Sequence, residues 1–427
     1  MSQGRIVILI IIAVLAALVV VMAVSRRGQS PGEDAAEKAR ADHGRRLERL
    51  RSLPYATVTP EKVEPSEAGV TVHDVERAWP GYNLYCSGVK PEAYLMDMSG
   101  EIVHTWTYPE ISPWRWRAVE MLDNGDLLVI NKLIALIKLD WHSNLVWSKP
   151  LQVHHDVTIA EDGTLYVAAA ATTLYRGVAV KFDVILRLDS LGEETDRWWS
   201  YEHLDDIKTA FDETSFLDGI LDSLEEDGGG AATGGQARND PASGKSKGRI
   251  YDYFHLNTVN LLPPTALVDM DSRFSPGNLL VCFRNINQVA VIDRSTMKIL
   301  WAWGEGELEW PHYPVMLEDG NILIYDNGVI REFSRIIEVN PLTGEIEWDY
   351  MADPPGSFYS ATRGAAQRLP NGNTLICHST DGRVFEVTAG GETVWEWLNP
   401  ATEDGHRVQV VRMYRVPAET VEPLLAR

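Results

Sequence analysis

Basic side chains that could bind or transfer an anionic group stand at several places along the chain. His154 and His155 lie in H-H-D-V-T-I, His255 lies in F-H-L-N-T-V, and His312 lies in W-P-H-Y-P-V. Arg284, in C-F-R-N-I-N, follows an apolar strand candidate. Arginine binds sulfate or phosphate through its planar fork, and one imidazole can attack while another moves a proton. The set predicts group transfer on an anionic substrate, with histidines that only hold strand backbone as the alternative.

The elements that must position these side chains are short strands that repeat. In five places a turn with a glycine precedes an apolar run, at D-N-G-D-L-L-V-I, E-D-G-T-L-Y-V-A, S-P-G-N-L-L-V-C, E-D-G-N-I-L-I-Y and P-N-G-N-T-L-I-C. Glycine suits the positive φ of such turns. The fourth run predicts a strand from Asn321 to Tyr325. We expect His312 to lie where its strand begins and to face the centre of the repeats.

A second template, a hairpin that ends in tryptophan, accompanies the first. Trp301, Trp348 and Trp395 follow one another at intervals of 47 residues, and Trp106 and Trp147 are 41 residues apart. A period of about 40 to 50 residues with several strands per repeat indicates a β-propeller, with the tryptophans packed between blades. The sequence therefore predicts an all-β, six-bladed β-propeller over residues 69–420. The hairpin at 94–106 and the last strand at 408–416 are expected to share one blade.

Two other regions differ from this pattern. Ile6 to Val24 is an uncharged apolar run that can cross a bilayer as a helix, so residues 1–27 are predicted to be a transmembrane anchor and residues 28–68 a polar linker. A helical and flexible insertion is predicted at about 201–249, from an acidic amphipathic stretch at 205–224 followed by glycine-rich sequence. This insertion is expected either to cover one mouth of the ring or to be disordered.

Composition and spacing exclude several classes of function. The formal net charge of −22 argues against a nucleic-acid partner, which requires a basic face. Cys86, Cys282 and Cys377 show no zinc-ligand spacing, and adjacent histidines in a strand point to opposite faces, so no metal is predicted. One disulfide is possible, and burial as small hydrophobic residues is the expectation for Cys282 and Cys377. No Walker loop, G-x-S-x-G or dinucleotide fingerprint occurs, so no cofactor is predicted either.

The chain resembles the bacterial PAPS-independent arylsulfotransferase (ASST) family. The likeness is strongest at H-H-D-V, Y-F-H-L-N-T-V, G-N-L-L-V-C-F-R-N-I-N-Q-V-A-V-I-D and G-N-I-L-I-Y-D-N-G, and it covers roughly residues 69–416. The resemblance implies a six-bladed propeller that moves sulfate from a phenolic ester to a phenol through a sulfohistidine. It implies His312 as the nucleophile, with His255, Arg284 and His155 as further catalytic residues.

The resemblance also bears on substrate contacts, location and an alternative function. It implies that His154, Asn257 and Asn285 contact the substrate. It implies a periplasmic propeller on its membrane anchor, although Arg26 and Arg27 after the apolar run favour the opposite orientation. Tyr313-Pro314 differ from the small or acidic residues expected beside the nucleophile. The alternative is therefore a catalytically inactive, membrane-tethered propeller that serves as a binding or scaffold module.

Overall fold

The computed structural model describes residues 57–63, 68–108, 116–211 and 250–427. The predicted anchor, most of the predicted linker and most of the predicted insertion lie outside these residues. Within the described ranges, no helix is both long enough and apolar enough to span a bilayer.

Strands dominate the described part of the chain. In chain order they are β1 (Val58–Lys62), β2 (Gly69–His73), β3 (Tyr82–Cys86), β4 (Glu92–Met96), β5 (Ile102–Thr107), β6 (Trp116–Met121), β7 (Leu127–Asn131), β8 (Ala135–Leu139), β9 (Leu145–Lys149), β10 (Val153–Ile159), β11 (Leu165–Tyr175), β12 (Val178–Leu188), β13 (Glu194–Trp199), β14 (Tyr251–Asp252), β15 (Leu256–Leu261), β16 (Leu279–Phe283), β17 (Gln288–Ile292), β18 (Ile299–Trp303), β19 (His312–Met316), β20 (Ile322–Asp326), β21 (Arg335–Val339), β22 (Ile346–Tyr350), β23 (Ala365–Arg368), β24 (Thr374–His378), β25 (Arg383–Val387), β26 (Thr393–Leu398), β27 (Thr402–Glu403), β28 (His406–Val408) and β29 (Met413–Val416). Two α-helices are described, α1 (Leu204–Ala210) and α2 (Ala418–Leu425).

Six antiparallel sheets form a closed ring of blades. Blade 1 is β29-β3-β4-β5, blade 2 is β6 to β9, blade 3 is β10 to β13, blade 4 is β15 to β18, blade 5 is β19 to β22 and blade 6 is β23 to β26. Each blade contacts the next, mostly through its first strand, and blade 6 contacts blade 1. The prediction of a mostly-β propeller is thus confirmed, and the strand order gives the six blades that the repeats indicate.

The two sequence templates correspond to defined parts of a blade. The five glycine-turn runs form the second strands of blades 2 to 6, namely β7, β11, β16, β20 and β24. The strand predicted at Asn321 to Tyr325 lies one residue later, at Ile322–Asp326. As predicted, β29 from the C-terminus completes blade 1 by pairing with β3. This pairing joins the two ends of the propeller, so the ring has no free edge at the closure.

Tryptophans join neighbouring blades, as their spacing predicts. Trp106 Nε1 donates to the Gly125 carbonyl of blade 2 at 3.3 Å, and Trp395 Nε1 donates to the Met98 carbonyl of blade 1 at 3.0 Å. Trp348 Nε1 reaches the Ala389 carbonyl of blade 6 at 2.9 Å. Each indole therefore covers apolar surface between blades while its N–H is satisfied across the boundary.

Cys86, Cys282 and Cys377 are all buried free thiols, which confirms the expected burial of the last two. They lie in β3, β16 and β24, so each thiol belongs to a different blade.

Several strands were not predicted from the repeats. β2 is a fifth strand on the outer edge of blade 6, and β14 pairs in parallel with β12 of blade 3. A separate three-stranded sheet is formed by β1, β28 and β27, and β1 lies within the segment that we expected to be linker. In the predicted insertion, the described residues form α1, whose Ile207 packs with Trp198 in the core between blades 3 and 4.

Candidate active site

All six first strands carry a basic residue at, or within two residues of, their start. In the order of the blades these residues are Arg412, Arg117, His155, His255, His312 and Arg363. Four of them line one small cavity together with Lys132 and Val411, namely Arg117, His155, His312 and Arg363. Because these four come from blades 2, 3, 5 and 6, on different sides of the ring, the cavity lies where the blades converge.

Backbone irregularities at the strand starts help to aim these side chains. The register shifts within the first residues of the first strands of blades 2 to 5. His155, His255, Tyr313 and Arg363 have positive φ values of 62°, 57°, 49° and 64°. Left-handed backbone at non-glycine residues costs on the order of 1–3 kcal/mol each and clusters at functional sites. Bulges of this kind turn side chains out of the regular alternation of a strand.

His312 is held in one orientation and one tautomer. Its Nδ1 lies 2.7 Å from Asn327 Oδ1 and 3.1 Å from the Trp310 carbonyl oxygen. Asn327 Nδ2 donates to the carbonyls of Ser360 and Arg363, both at 2.6 Å, which leaves the amide oxygen facing the imidazole. Two acceptors beside Nδ1 place the imidazole proton on that nitrogen. Nε2 therefore carries the lone pair, and the Arg363 backbone N–H donates to it at 3.3 Å.

The charge state of His312 follows from its surroundings. Burial lowers its pKa to about 3, and the nearby Arg284 guanidinium acts in the same direction. Asn327 and the Trp310 carbonyl oppose this shift only in part. The imidazole is consequently neutral at pH 7, which is the form that can act as a nucleophile.

Replacing Asn327 by leucine is expected to weaken the preference of His312 for a proton on Nδ1, which the Trp310 carbonyl still supports, and to destabilise the propeller. The carbonyls of Ser360 and Arg363 would each lose a donor, at about 1–3 kcal/mol for each buried unpaired group. Nitrogen-15 NMR of labelled histidine reports the tautomer, and urea unfolding reports the stability. Asn144→Leu, in an exposed turn of blade 2, is the control. Unchanged His312 shifts in Asn327→Leu would show that Asn327 does not fix the proton.

His155 lines the cavity with His312, and His255 packs against His155. The ring centres of His155 and His255 are 4.9 Å apart, and His255 Nδ1 lies 2.7 Å from Asp252 Oδ2. Burial lowers the pKa of both histidines well below 6.5. The Arg284 guanidinium lies 4.5 Å from the Trp310 ring centre and depresses the pKa of both His255 and His312. Of the four residues that we predict to be catalytic, His312 and His155 thus line the cavity, whereas His255 and Arg284 do not and lie behind this lining.

None of the three residues predicted to contact substrate lines the cavity. His154 does not line the cavity, and its Nε2 lies 3.9 Å from Asp183 Oδ1 in the core. Asn257 donates to the Pro311 carbonyl at 2.8 Å, which fixes the residue before His312. Asn285 accepts from Arg284 Nη2 at 2.9 Å. In the structure these three residues contact neighbouring protein groups, and their contact with substrate stays a prediction.

The cavity is small and strongly cationic. Its volume is about 30 Å³, which is on the scale of one or two water molecules. Its lining includes Arg117, Lys132 and Arg363 and no carboxylate. Burial, reinforced by Arg117 and other nearby cations, lowers the pKa of Lys132 to about 7. Such a lining favours an oxyanion, although the formal net charge of the whole chain is −22.

A larger cleft of about 700 Å³ has the opposite character. It lies between the first strands of blades 5 and 6, and its lining includes Glu120, Glu318 and Asp319. Tyr313 lines this cleft, whereas its neighbour His312 lines the cationic cavity. The oxyanion site is therefore assigned to the smaller cavity.

Lys132, Arg117 and Arg363 were missed by the sequence analysis, although the repeats contain a signal for them. Lys132 and Arg284 each stand seven residues after the glycine of the first template, directly after the second strand. Asn327 occupies the same position in blade 5. If the first template is extended by two residues, it places Lys132, Arg284 and Asn327 at the same end of their blades. Arg117 and Arg363 emerge when the starts of the first strands are aligned.

Within the described ranges there is no group of three or more histidine, cysteine, aspartate or glutamate side chains that could hold a metal ion.

Comparisons with known proteins identify a family. The family model for arylsulfotransferase (ASST) matches residues 118–400, which is more than half of the chain. No curated protein matches the chain. Among solved structures, a protein of unknown function from Bacteroides caccae is 14% identical with a TM-score of 0.48, over 78% of this chain and 98% of that one. A streptogramin B lyase is 11% identical with a TM-score of 0.44, over 82% and 93% of the two chains.

Proposed function

Because this chain belongs to the arylsulfotransferase (ASST) family, we propose that it transfers a sulfuryl group from a phenolic sulfate ester to a phenol through a sulfohistidine at His312. The observation that carries the proposal is a neutral His312 with its Nε2 lone pair defined, in a cavity shared with Arg117, Lys132, His155 and Arg363. A nucleophile and cations around one small space are what transfer of an anionic group requires.

In the proposed first step, Nε2 of His312 attacks sulfur. The bond between sulfur and the aryl oxygen breaks, and that oxygen keeps the bonding electron pair. The guanidinium groups of Arg117, Arg284 and Arg363 stabilise the negative charge on the sulfuryl oxygens. His155, which is neutral at pH 7, lines the cavity and orients the group, and His255, whose Nδ1 lies against Asp252, packs against His155. In the second step, the acceptor phenol oxygen attacks sulfur as its proton leaves, and the electron pair of the N–S bond returns to Nε2. This proton balances the one that the departing phenolate takes up.

Before Nε2 of His312 can attack sulfur, it must lose its hydrogen bond from the Arg363 backbone N–H. The Arg363 N–H that donates to Nε2 at 3.3 Å occupies the lone pair that attacks sulfur. A contact of this length is at the weak end of the hydrogen-bond range, so a sulfuryl group can displace it. The same contact is the observation that favours the alternative, a propeller that binds ligands without turnover.

An activity measurement on the purified full-length protein distinguishes the two functions. With 4-methylumbelliferyl sulfate as donor, release of the fluorescent phenol is expected to accelerate when phenol is added as acceptor. Because the pKa of His312 is lowered to about 3, donor cleavage is not expected to fall as the pH decreases through 6.5. No turnover with any member of a varied donor and acceptor panel would favour the inactive propeller.

We also propose that the propeller is held at a membrane by the apolar run Ile6 to Val24 and lies outside the cytoplasm. The length of this run and the resemblance to the family support the proposal. Protease added to intact spheroplasts is expected to digest the propeller. Full protection from the protease would place it in the cytoplasm.

A further inference from the structure

The proposed reaction needs a proton donor that the buried histidines do not supply. A basic phenolate, such as that of phenol itself, leaves faster when its oxygen is protonated as the bond to sulfur breaks. Burial holds the pKa of His155 and His255 well below 6.5, so neither carries an extra proton at pH 7. Arginine retains its protons at any pH at which proteins fold. The candidate acid is therefore another side chain that faces the cavity.

Lys132 is placed for this role. It follows β7 directly, at the blade position that Arg284 occupies after β16, and it lines the cavity with His312 and His155. Among the residues that line the cavity, Lys132 has the side chain that can both give up and regain a proton near neutral pH. The lowered pKa of about 7 has a physical cause. Burial and the charges of Arg117, Lys181 and Arg363 all disfavour the ammonium form, and Asp252 opposes them only in part.

We propose that Lys132 is the general acid for the departing aryl oxygen and the general base for the acceptor phenol, an assignment that rests on the proposed sulfotransferase function. In the first step an N–H bond of its ammonium group breaks, the proton passes to the aryl oxygen, and the neutral amine remains. In the second step the amine takes the proton of the acceptor phenol as the phenol oxygen bonds to sulfur. After both steps Lys132 and His312 have returned to their starting forms, so protons and electron pairs balance.

The test compares donors whose leaving groups differ in basicity. In Lys132→Met, cleavage of phenyl sulfate is expected to fall on the order of 10²- to 10³-fold, within the range of general acid catalysis. Cleavage of 4-nitrophenyl sulfate, whose phenolate leaves without much help, is expected to fall by much less. Lys132→Arg keeps the charge without a transferable proton and is expected to show the same dependence on leaving group. Lys138→Met is the control, because Lys138 lies in the same blade and pairs with Asp126 at 3.0 Å.

The pH profile gives an independent readout. With phenyl sulfate, the wild-type rate of donor cleavage is expected to fall as the pH rises through about 7, because the ammonium form is lost. This decline is expected to be absent in both Lys132 variants.

Each outcome decides between distinct conclusions. Equal losses with the two donors in the Lys132 variants would overturn the assignment and leave Lys132 with a structural role. If Lys132→Met does not fold, Lys132→Arg decides by the same comparison. Absence of activity in the wild-type protein with every donor would instead reject the sulfotransferase function itself.

Discussion

Replacing His312 by asparagine is expected to abolish sulfuryl transfer, with a loss in kcat on the order of 10⁶-fold, as when another enzyme loses its nucleophile. Asparagine at this position can still donate a hydrogen bond to Asn327 from the place where Nδ1 now lies. It cannot supply the lone pair of Nε2, because an amide nitrogen is a poor nucleophile. The variant is therefore expected to fold and to bind the donor without cleaving it.

The measurement is release of phenol from an aryl sulfate, followed with and without an acceptor. His142→Asn is the matched control, because His142 is exposed in the β8–β9 turn of blade 2. Its activity is expected to equal that of the wild-type protein. Transfer by His312→Asn at a rate close to that of the control would show that another group attacks sulfur.

The largest effect on stability is expected at the closure of the ring. Arg415 of β29 and Glu386 of β25 form an ion pair between blades 1 and 6, and both side chains are buried. Glu386 also accepts from Trp79 N at 2.8 Å and Asn373 Nδ2 at 2.7 Å. Arg415→Met leaves this carboxylate buried without its cation, which is expected to lower the free energy of unfolding by about 3–5 kcal/mol.

Urea unfolding of the variant measures this loss, and two further variants locate its cause. Combining Arg415→Met with Glu386→Leu is expected to recover much of the stability, because replacing both members of a buried pair by apolar side chains is often close to neutral. Arg77→Met removes the exposed pair between Arg77 and Glu392 and is expected to have little effect. A loss in Arg415→Met as small as that in Arg77→Met would show that the buried pair does not hold the ring closed.

The parts of the fold that the sequence predicts are those set by local chemistry. The glycine turns fix where each second strand begins, so the starts of five second strands could be placed within a residue or two, although β11 continues to Tyr175, well beyond its predicted run. The tryptophan hairpins gave the period and the contacts between blades. Closure by β29 could also be predicted, because one hairpin lacked a complete blade and one strand lacked a hairpin.

Pairings between distant segments could not be predicted in the same way. β2 pairs with β26 and β1 pairs with β28, over separations of more than 300 residues. No turn connects these partners, and their register follows from where the closed ring places its edges. A segment such as Val58–Lys62, which is polar and flanked by prolines, has no local signal that separates a strand from a linker.

In the candidate site, too, some residues could be predicted from local sequence and others depend on distant segments. His312, His255, His155 and Arg284 could be named from their residue types and their place beside the strands. Lys132 could not be recognised by type, because lysines elsewhere in the chain, such as Lys138 in its own blade, form ordinary ion pairs. The role that we propose for it depends on a low local dielectric and on cations from other blades, which only the assembled ring brings together. The tautomer of His312 likewise depends on Asn327, 15 residues away in sequence.

The central claim is that His312 forms a covalent bond to sulfur, and the most direct test is to trap that intermediate. Purified protein is mixed with 4-nitrophenyl sulfate in the absence of acceptor, quenched in alkali and digested for mass spectrometry. We predict that one sulfuryl group is found on His312 and that it disappears when phenol is added before the quench. A sulfuryl group on a different residue, or transfer to phenol with His312 unmodified throughout, would contradict the account.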